Sequence, residues 1–163
     1  MLANRNYYAT LTYYDVEKTE AVTINAADYA KHRDTIKNKR IYKILLIANE
    51  EKSAIVGTEY VNSLGLPDIV AVRSWNVSTE ILSRENTKGR ALQRVAEAVN
   101  ARKTVAVCDF ENDISMLESA DLSYAVENAL PSVKEAADRL TVSCEEGAIA
   151  AIIEEIESGK LIF

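Results

Sequence analysis

The sequence predicts an α/β fold in two parts, an α+β portion over residues 1–82 and an alternating strand and helix portion over residues 83–163. Three observations support it. The runs Ile44-Leu45-Leu46-Ile47-Ala48 and Val105-Ala106-Val107 are short, apolar and partly β-branched, as buried strands are. Apolar residues elsewhere recur at helical spacing, as in Ala91, Leu92, Val95, Ala96 and Val99. After the polar segment Ser83-Arg84-Glu85-Asn86-Thr87, helices and short strands alternate strictly, the pattern of a parallel sheet.

Residues 7–14, Tyr-Tyr-Ala-Thr-Leu-Thr-Tyr-Tyr, predict a strand ending at Asp15, with the aromatics read as packing. Asn25 is the expected cap of a helix running through about Lys37, whose charged residues Lys31 to Arg40 form a solvated face with His32 on it. Ile41–Ala48 follows as a strand. A helix from about Glu50 to Leu64 carries the stripe Ile55, Val56, Tyr60, Val61 and Leu64 and is stopped by Gly65 and Pro67. Ile69–Arg73 and Ser78–Leu82 flank Ser74-Trp75-Asn76-Val77 as a hairpin. In the second part a helix starts near Lys88, and the Val105 strand leads to a helix marked by Ile114, Met116, Leu117 and Ala120. Leu122–Val126 is the next strand, and Pro131 opens a helix with Val133, Ala136 and Ala137. Leu140–Ser143 is a brief strand. The last helix runs from about Glu145 with Ile149, Ile152, Ile153 and Ile156, and stops near Gly159.

With 48% hydrophobic residues in 163, the chain has ample material for a core. A net charge of -6 argues against a nucleic-acid surface, which requires clustered Lys and Arg, and favours a small-molecule ligand. Cys108 and Cys144 form neither a CxxC pair nor a disulfide framework, which fits a reducing cytoplasm and indicates no zinc site. Met1–Asn6 lacks a signal-peptide core, and no stretch approaches the roughly 20 apolar residues of a membrane span. The expectation is a soluble cytoplasmic protein.

The segment Val105-Ala106-Val107-Cys108-Asp109-Phe110-Glu111-Asn112-Asp113 carries the chemistry. It delivers two carboxylates and an amide to the carboxyl end of a buried strand, where ligands collect in open α/β sheets. Closely spaced carboxylate oxygens suit Mg²⁺, which keeps waters and shares a phosphate, so phosphate chemistry is the natural reading. The plainer alternatives are that Asp109 and Asp113 only flank a helix N-terminus, stabilised by its dipole, and that Lys88 is a solvated helix residue. Cys108 has no base partner that would make it a nucleophile.

Three ordered segments carry a family resemblance: Asn86-Thr87-Lys88-Gly89-Arg90-Ala91-Leu92, then Cys108-Asp109-Phe110-Glu111-Asn112-Asp113-Ile114-Ser115-Met116-Leu117, then Ala125-Val126-Glu127-Asn128-Ala129 with Val133-Lys134. Together they resemble the C-terminal half of the haloacid dehalogenase superfamily, in its Cof-type sugar-phosphatase-like branch. The family patterns are a Lys-Gly-x-Ala-Leu helix start, a Gly-Asp-x-x-Asn-Asp loop and an Ala-Met-Gly-Asn-Ala segment. The resemblance covers about residues 78 to 158 well; residues 1–77 resemble, less specifically, the later part of the cap domain. It implies the C-terminal half of a Rossmann-like core plus an α+β cap portion. It also implies Mg²⁺-dependent hydrolysis of phosphorylated small metabolites such as sugar phosphates. By this resemblance Lys88 binds the phosphoryl group and orients the nucleophile, Asp109 ligates Mg²⁺, Asp113 supports the metal, and Asn112 and Asn128 bind substrate. Arg73 and Trp75 are cap candidates for choosing it.

Departures from the family pattern are equally informative. Cys108 stands where the family has Gly, and Val126-Glu127 where it has Met-Gly; an added carboxylate beside a phosphate is repulsive unless turned to solvent. Such changes fit relaxed selection or a different ligand. The Asp-x-Asp-Gly-Thr motif that supplies the family's nucleophile and general acid/base is absent, and so is its Ser/Thr motif. Tyr13-Tyr14-Asp15-Val16-Glu17 lacks the second Asp and the Gly-Thr, so Asp15 does not take the role. Two expectations follow: a phosphatase half that is inactive without its complement, or a non-catalytic remnant acting through ligand binding or self-association. In the family the nucleophile strand lies beside the Asp109 strand, so both expect partners, a complementary N-terminal half or further copies of the chain. No nucleic acid and no membrane is expected among them.

Overall fold

The computed structural model describes residues 7–15, 18–37, 39 and 41–159, and its contacts divide the chain into two compact units, Met1–Glu85 and Asn86–Phe163. Val16, Glu17 and the segment Met1–Asn6 lie outside the described residues.

The amino-terminal unit is built on an antiparallel sheet of β1 (Tyr7–Asp15), β2 (Glu20–Asn25), β3 (Ile41–Ala48), β4 (Ile69–Trp75) and β5 (Ser78–Ser83), in the order β2-β1-β3-β5-β4. Two helices, α1 (Tyr29–Ile36) and α2 (Glu51–Ser63), complete it. The register sets Ile44 opposite Ile81 and Leu46 opposite Thr79, which places these residues on one face. Ile36 of α1 packs there against Val22, Ile24 and Ile44. α2 lies against the same face, its Thr58 hydroxyl 2.7 Å from that of Thr79.

Two expectations are corrected in this unit. Residues 20–25 form a strand where none was expected, because only Val22 and Ile24 alternate inward and the period-2 signal is short. Asn25 ends β2 and caps the helical segment that follows, as expected: its Oδ1 accepts the Ala27 N–H at 2.9 Å at the start of a 3-10 turn, Ala26–Asp28, that runs directly into α1. On α2 the buried positions are the small residues Ala54 and Gly57 together with Val61, whereas Ile55, Val56, Tyr60 and Leu64 are exposed. Small side chains let the helix approach closely enough for the Thr58 and Thr79 hydroxyls to meet.

The carboxy-terminal unit comprises α3 (Lys88–Ala98), β6 (Val105–Cys108), α4 (Ile114–Leu117), β7 (Leu122–Val126), α5 (Pro131–Ala136), β8 (Arg139–Thr141) and α6 (Ala148–Glu157). The three strands are parallel in the order β6-β7-β8. Ala106, Cys108, Leu117, Ala125, Val126, Ala129, Val133 and Ala148 form its core. Two carboxylates stitch the strands at their amino-terminal ends. Asp121 accepts the N–H and hydroxyl of Thr104, both at 2.9 Å, and Asp138 accepts the Ser123 hydroxyl at 2.7 Å and its N–H at 2.9 Å. These hydrogen bonds favour the ionised form. The Thr104 N–H first, then Lys103, holds Asp121 below the usual carboxylate range, and the Ser123 hydroxyl does so for Asp138.

The final helix starts later than its periodicity suggests. A capping box between Ser143 and Glu146 closes a 3-10 turn, and Gly147, at φ 83, then takes the left-handed conformation that interrupts the helix before Ala148. Its stripe is only partly inward: Ile152 is buried, but Ile149 is 58% and Ile153 48% exposed. The same holds for α3, where Val95 is 59% and Val99 66% exposed. Both helices have the amphipathic pattern of core helices, and among the described residues of this unit nothing covers these apolar positions.

Candidate active site

The site lies at the carboxyl end of β6, and the backbone there follows from the residue types. After Cys108 the chain turns at Asp109, runs extended through Phe110 (φ -131, ψ 164) and enters a 3-10 turn at Glu111–Asp113 that feeds α4. The Asp109 carbonyl accepts the Leu130 N–H at 3.1 Å, tying this turn to the loop before Pro131. Asp109 itself is exposed, as a carboxylate offered to a ligand should be.

Asp113 is the opposite case. It is buried, and at the amino end of α4 its side chain makes no capping hydrogen bond; instead its Oδ1 forms an ion pair with the Lys88 ammonium. That oxygen has no hydrogen bond of good geometry, so the contact is one of charges, with capacity left for a further cation or donor. A buried carboxylate is costly unless paired, so Lys88 and Asp113 hold each other in place. The reading of Asp113 as a simple helix cap is thereby replaced.

Lys88 reaches Asp113 because α3 and α4 meet at their first turns. Thr87 caps α3, its hydroxyl accepting the Arg90 N–H at 3.4 Å, and the Gly89 N–H donates to the Ser115 hydroxyl at 3.2 Å. A Cβ on Gly89 would collide with the Ser115 carbonyl, so only glycine permits this approach. Thr87, Gly89 and Ser115 lie in the motif segments read from the sequence, but their role as positioning residues was not assigned there. Their signal was a glycine in the first turn of an otherwise strong helix, where it is unfavourable unless something approaches closely.

The remaining candidates are placed unequally. Asn112 lies in the same turn as Asp113 and is half-buried. Asn128 is committed elsewhere, its Oδ1 accepting the Cys144 N–H and its Nδ2 meeting the Cys144 sulfur, both at 3.2 Å. Glu127, the carboxylate that departs from the family pattern, is exposed to solvent. Cys108 is buried and its S–H faces the Asp113 carbonyl at 3.9 Å. Burial first, then the nearby Asp113 charge, pushes its thiol up to about 12, so it is no nucleophile at neutral pH. In the amino-terminal unit Arg73 is buried and bound to Glu51 at 2.9 Å, which makes it a structural group and not a ligand-facing cation; Trp75 is exposed at the β4–β5 turn.

Beside Asp109 opens a groove of about 280 Å³ whose lining includes Val107, Val126, Gly147, Ala148 and Ile149. It is apolar except at its Asp109 end. Among the described residues no cluster of three or more His, Cys, Asp or Glu is arranged to enclose a metal ion. Two carboxylates near a lysine nevertheless suit Mg²⁺, which needs only one or two protein carboxylates when phosphate and water complete its shell. The free capacity on Asp113 Oδ1 supports that fit. No helix among the described residues is long and apolar enough to cross a membrane.

Comparison with known proteins places this geometry. The haloacid dehalogenase-like hydrolase family matches residues 2–153. Phosphatase YwpJ of Bacillus subtilis is 36% identical over 91 residues, covering 55% of this chain and 32% of that protein. A solved haloacid dehalogenase-like hydrolase from B. subtilis superposes with a TM-score of 0.64 at 31% identity, over 71% of this chain and 41% of its own. The HAD subclass IIB sugar phosphatase BT4131 shares the fold at 18% identity, with a TM-score of 0.68 over 92% of this chain and 61% of its own. The chain thus spans between about a third and three fifths of these proteins.

Proposed function

Because the chain belongs to the haloacid dehalogenase-like hydrolases and shares the fold of their Cof-like, sugar-phosphatase branch, we propose that its carboxy-terminal unit supplies the cation and phosphate half of a phosphomonoester hydrolysis site. The substrates in this reading are phosphorylated small metabolites such as sugar phosphates, and the amino-terminal unit is part of the cap that selects among them. The observation that carries it is the Lys88–Asp113 ion pair, held beside exposed Asp109 by the glycine contact between α3 and α4. Lys88 lies within reach of a phosphoryl group bound at the Asp109 turn and neutralises its charge; Asn112 offers an amide from that turn. Asp109 would hold Mg²⁺ directly and Asp113 would support it, and the ion would supply further charge neutralisation on the phosphoryl oxygens.

The 163 residues contain no Asp-x-Asp-Gly-Thr, so the nucleophile and general acid/base must come from elsewhere and the chain alone is inactive. Two measurements test this reading. With p-nitrophenyl phosphate and Mg²⁺ the chain should not exceed the buffer blank; turnover abolished by Asp109→Ala would show that it carries a complete site. Amide resonances of residues 109–113 and Lys88 should move on adding Mg²⁺ with inorganic phosphate and stay still in Asp109→Ala. Unmoved resonances in the unsubstituted chain would remove the site. A second reading, a non-catalytic remnant that binds a ligand or itself, draws support from the Asn128 amide being occupied by Cys144 and from the apolar character of the neighbouring groove.

A further inference from the structure

Two of the leading amide groups of α3 are taken by hydroxyls, and the two hydroxyls do different things. A helix leaves its first N–H groups without partners in its own ladder, so each needs an acceptor from elsewhere. Thr87 supplies one locally, accepting the Arg90 N–H at 3.4 Å. Ser115 supplies another from 26 residues away, accepting the Gly89 N–H at 3.2 Å. The Thr87 bond caps α3 wherever that helix lies. The Ser115 bond fixes where it lies, because Ser115 belongs to α4.

This second bond stands beside the ion pair. Gly89 directly follows Lys88, and Ser115 lies two residues after Asp113, so the hydrogen bond and the contact between the Lys88 ammonium and Asp113 Oδ1 join the same two segments. The Lys88 side chain is 51% exposed, and a lysine held by charge alone loses much of its Coulomb gain to solvent screening and to the entropy of fixing its rotamers. Locking the backbones on either side of the pair removes part of that cost. The approach is close: Gly89 is buried, and a Cβ there would collide with the Ser115 carbonyl and the Ser119 hydroxyl. Ser119 touches the same spot but donates its hydroxyl to the Ser115 carbonyl at 2.7 Å, and not to α3.

We propose that Ser115 is a positioning residue for Lys88: by accepting the Gly89 N–H, its hydroxyl holds the first turn of α3 where the ammonium meets Asp113. The use made of Lys88 rests on the phosphoryl-binding reading, in which a cation already in place meets a phosphoryl oxygen without further ordering. The hold itself does not depend on that reading.

A double-mutant cycle reads the hold directly. In urea unfolding, Lys88→Met, Asp113→Asn and the double variant should show a coupling of about fivefold in the unfolding constant, as for charges in contact. Repeated on Ser115→Ala, the coupling should fall to near unity. Repeated on Ser119→Ala, which removes a neighbouring hydroxyl and spares the Gly89 N–H, it should stay. A serine that only stabilises the fold would weaken every member of the cycle alike, so an unchanged coupling in Ser115→Ala overturns the proposal, as does an equal loss in both serine variants. Where a member of the cycle does not fold, relaxation of the Lys88 Cε decides, read on Ser115→Ala or Ser115→Cys: it should become as mobile as that of exposed Lys52, and unchanged order overturns the proposal. Inorganic phosphate with Mg²⁺ separates the two claims. If the unsubstituted chain shows no resonance shift, the phosphoryl reading fails and the coupling alone decides the role of Ser115. If it binds, Ser115→Ala should bind severalfold more weakly, and equal affinity overturns the proposal.

Discussion

The two sheets treat their edges differently. At β4 the outward N–H and C=O of Ala71 are both taken by one side chain: Asn62 of α2 accepts the N–H and donates to the carbonyl, each at 2.9 Å. A primary amide presents a donor and an acceptor in the geometry of a peptide group, so Asn62 stands in for one residue of a neighbouring strand and blocks further pairing. Among the described residues the outward groups of Val105 and Val107 at β6 have no such plug, and elsewhere in that unit Val95, Val99, Ile149 and Ile153 are exposed. A sheet that closes its own edge is built to end there. One whose outward main-chain groups are left unplugged has room for a further strand.

The largest expected effect breaks the carboxy-terminal side of this contrast. That unit closes its helix layer through the Gly89–Ser115 approach, so Gly89→Ala forces α3 from α4 and should cost about 3 kcal/mol, the upper end of overpacking penalties. Residue-level hydrogen exchange should show the loss in residues 86–159; unchanged exchange there would contradict the tight Gly89–Ser115 approach. A smaller effect tests the plug. Asn62→Ala deletes two hydrogen bonds at once and should cost about 1–2 kcal/mol in urea unfolding, and it should add association through β4. An Asn62→Ala chain with unchanged stability and no new association would show that α2, not the amide, guards the edge.

The smallest effect concerns the carboxylate stitches that only the parallel sheet uses. Asp121 and Asp138 are held below their ordinary values, so their contribution is complete above about pH 4 and is lost as pH falls through the lowered native values. Asp138→Asn should therefore lower the urea midpoint at neutral pH, and the gap from the unsubstituted chain should close in acid. A gap that stays undiminished as pH falls through the lowered native range would mean that the Ser123 contact does not depend on charge.

Much of the fold was legible because its elements announce themselves locally. Ile44–Ala48, Val105–Val107 and Leu122–Val126 are apolar runs short enough to be strands, and Pro131, Gly65 and Gly159 punctuate helices where their backbone chemistry predicts. β2 was missed because an edge strand with two inward residues leaves almost no periodic signal. The α6 start was misplaced because the Ser143–Glu146 capping box and the positive φ of Gly147 are local features that override periodicity. In the site, residue types at the Asp109 turn indicated a cation and phosphate chemistry. Which carboxylate would be buried, and which lysine would neutralise it, depended on packing between helices 25 residues apart in sequence, from Lys88 to Asp113.

The sequence by itself determined the alternation of strands and helices, the position of the carboxylates at a strand end, and the absence of an Asp-x-Asp-Gly-Thr motif. These are properties of residue type and spacing, and no partner is needed to read them. Only the tertiary structure decided that Arg73 is a buried structural cation, that Asn128 is occupied by Cys144, that Asn62 takes both outward groups of Ala71 at β4, and that β6 is an edge strand among the described residues. Each of these depends on which groups from distant segments satisfy a given donor, acceptor or charge, and hydrogen bonds and ion pairs require a proximity that local sequence does not encode.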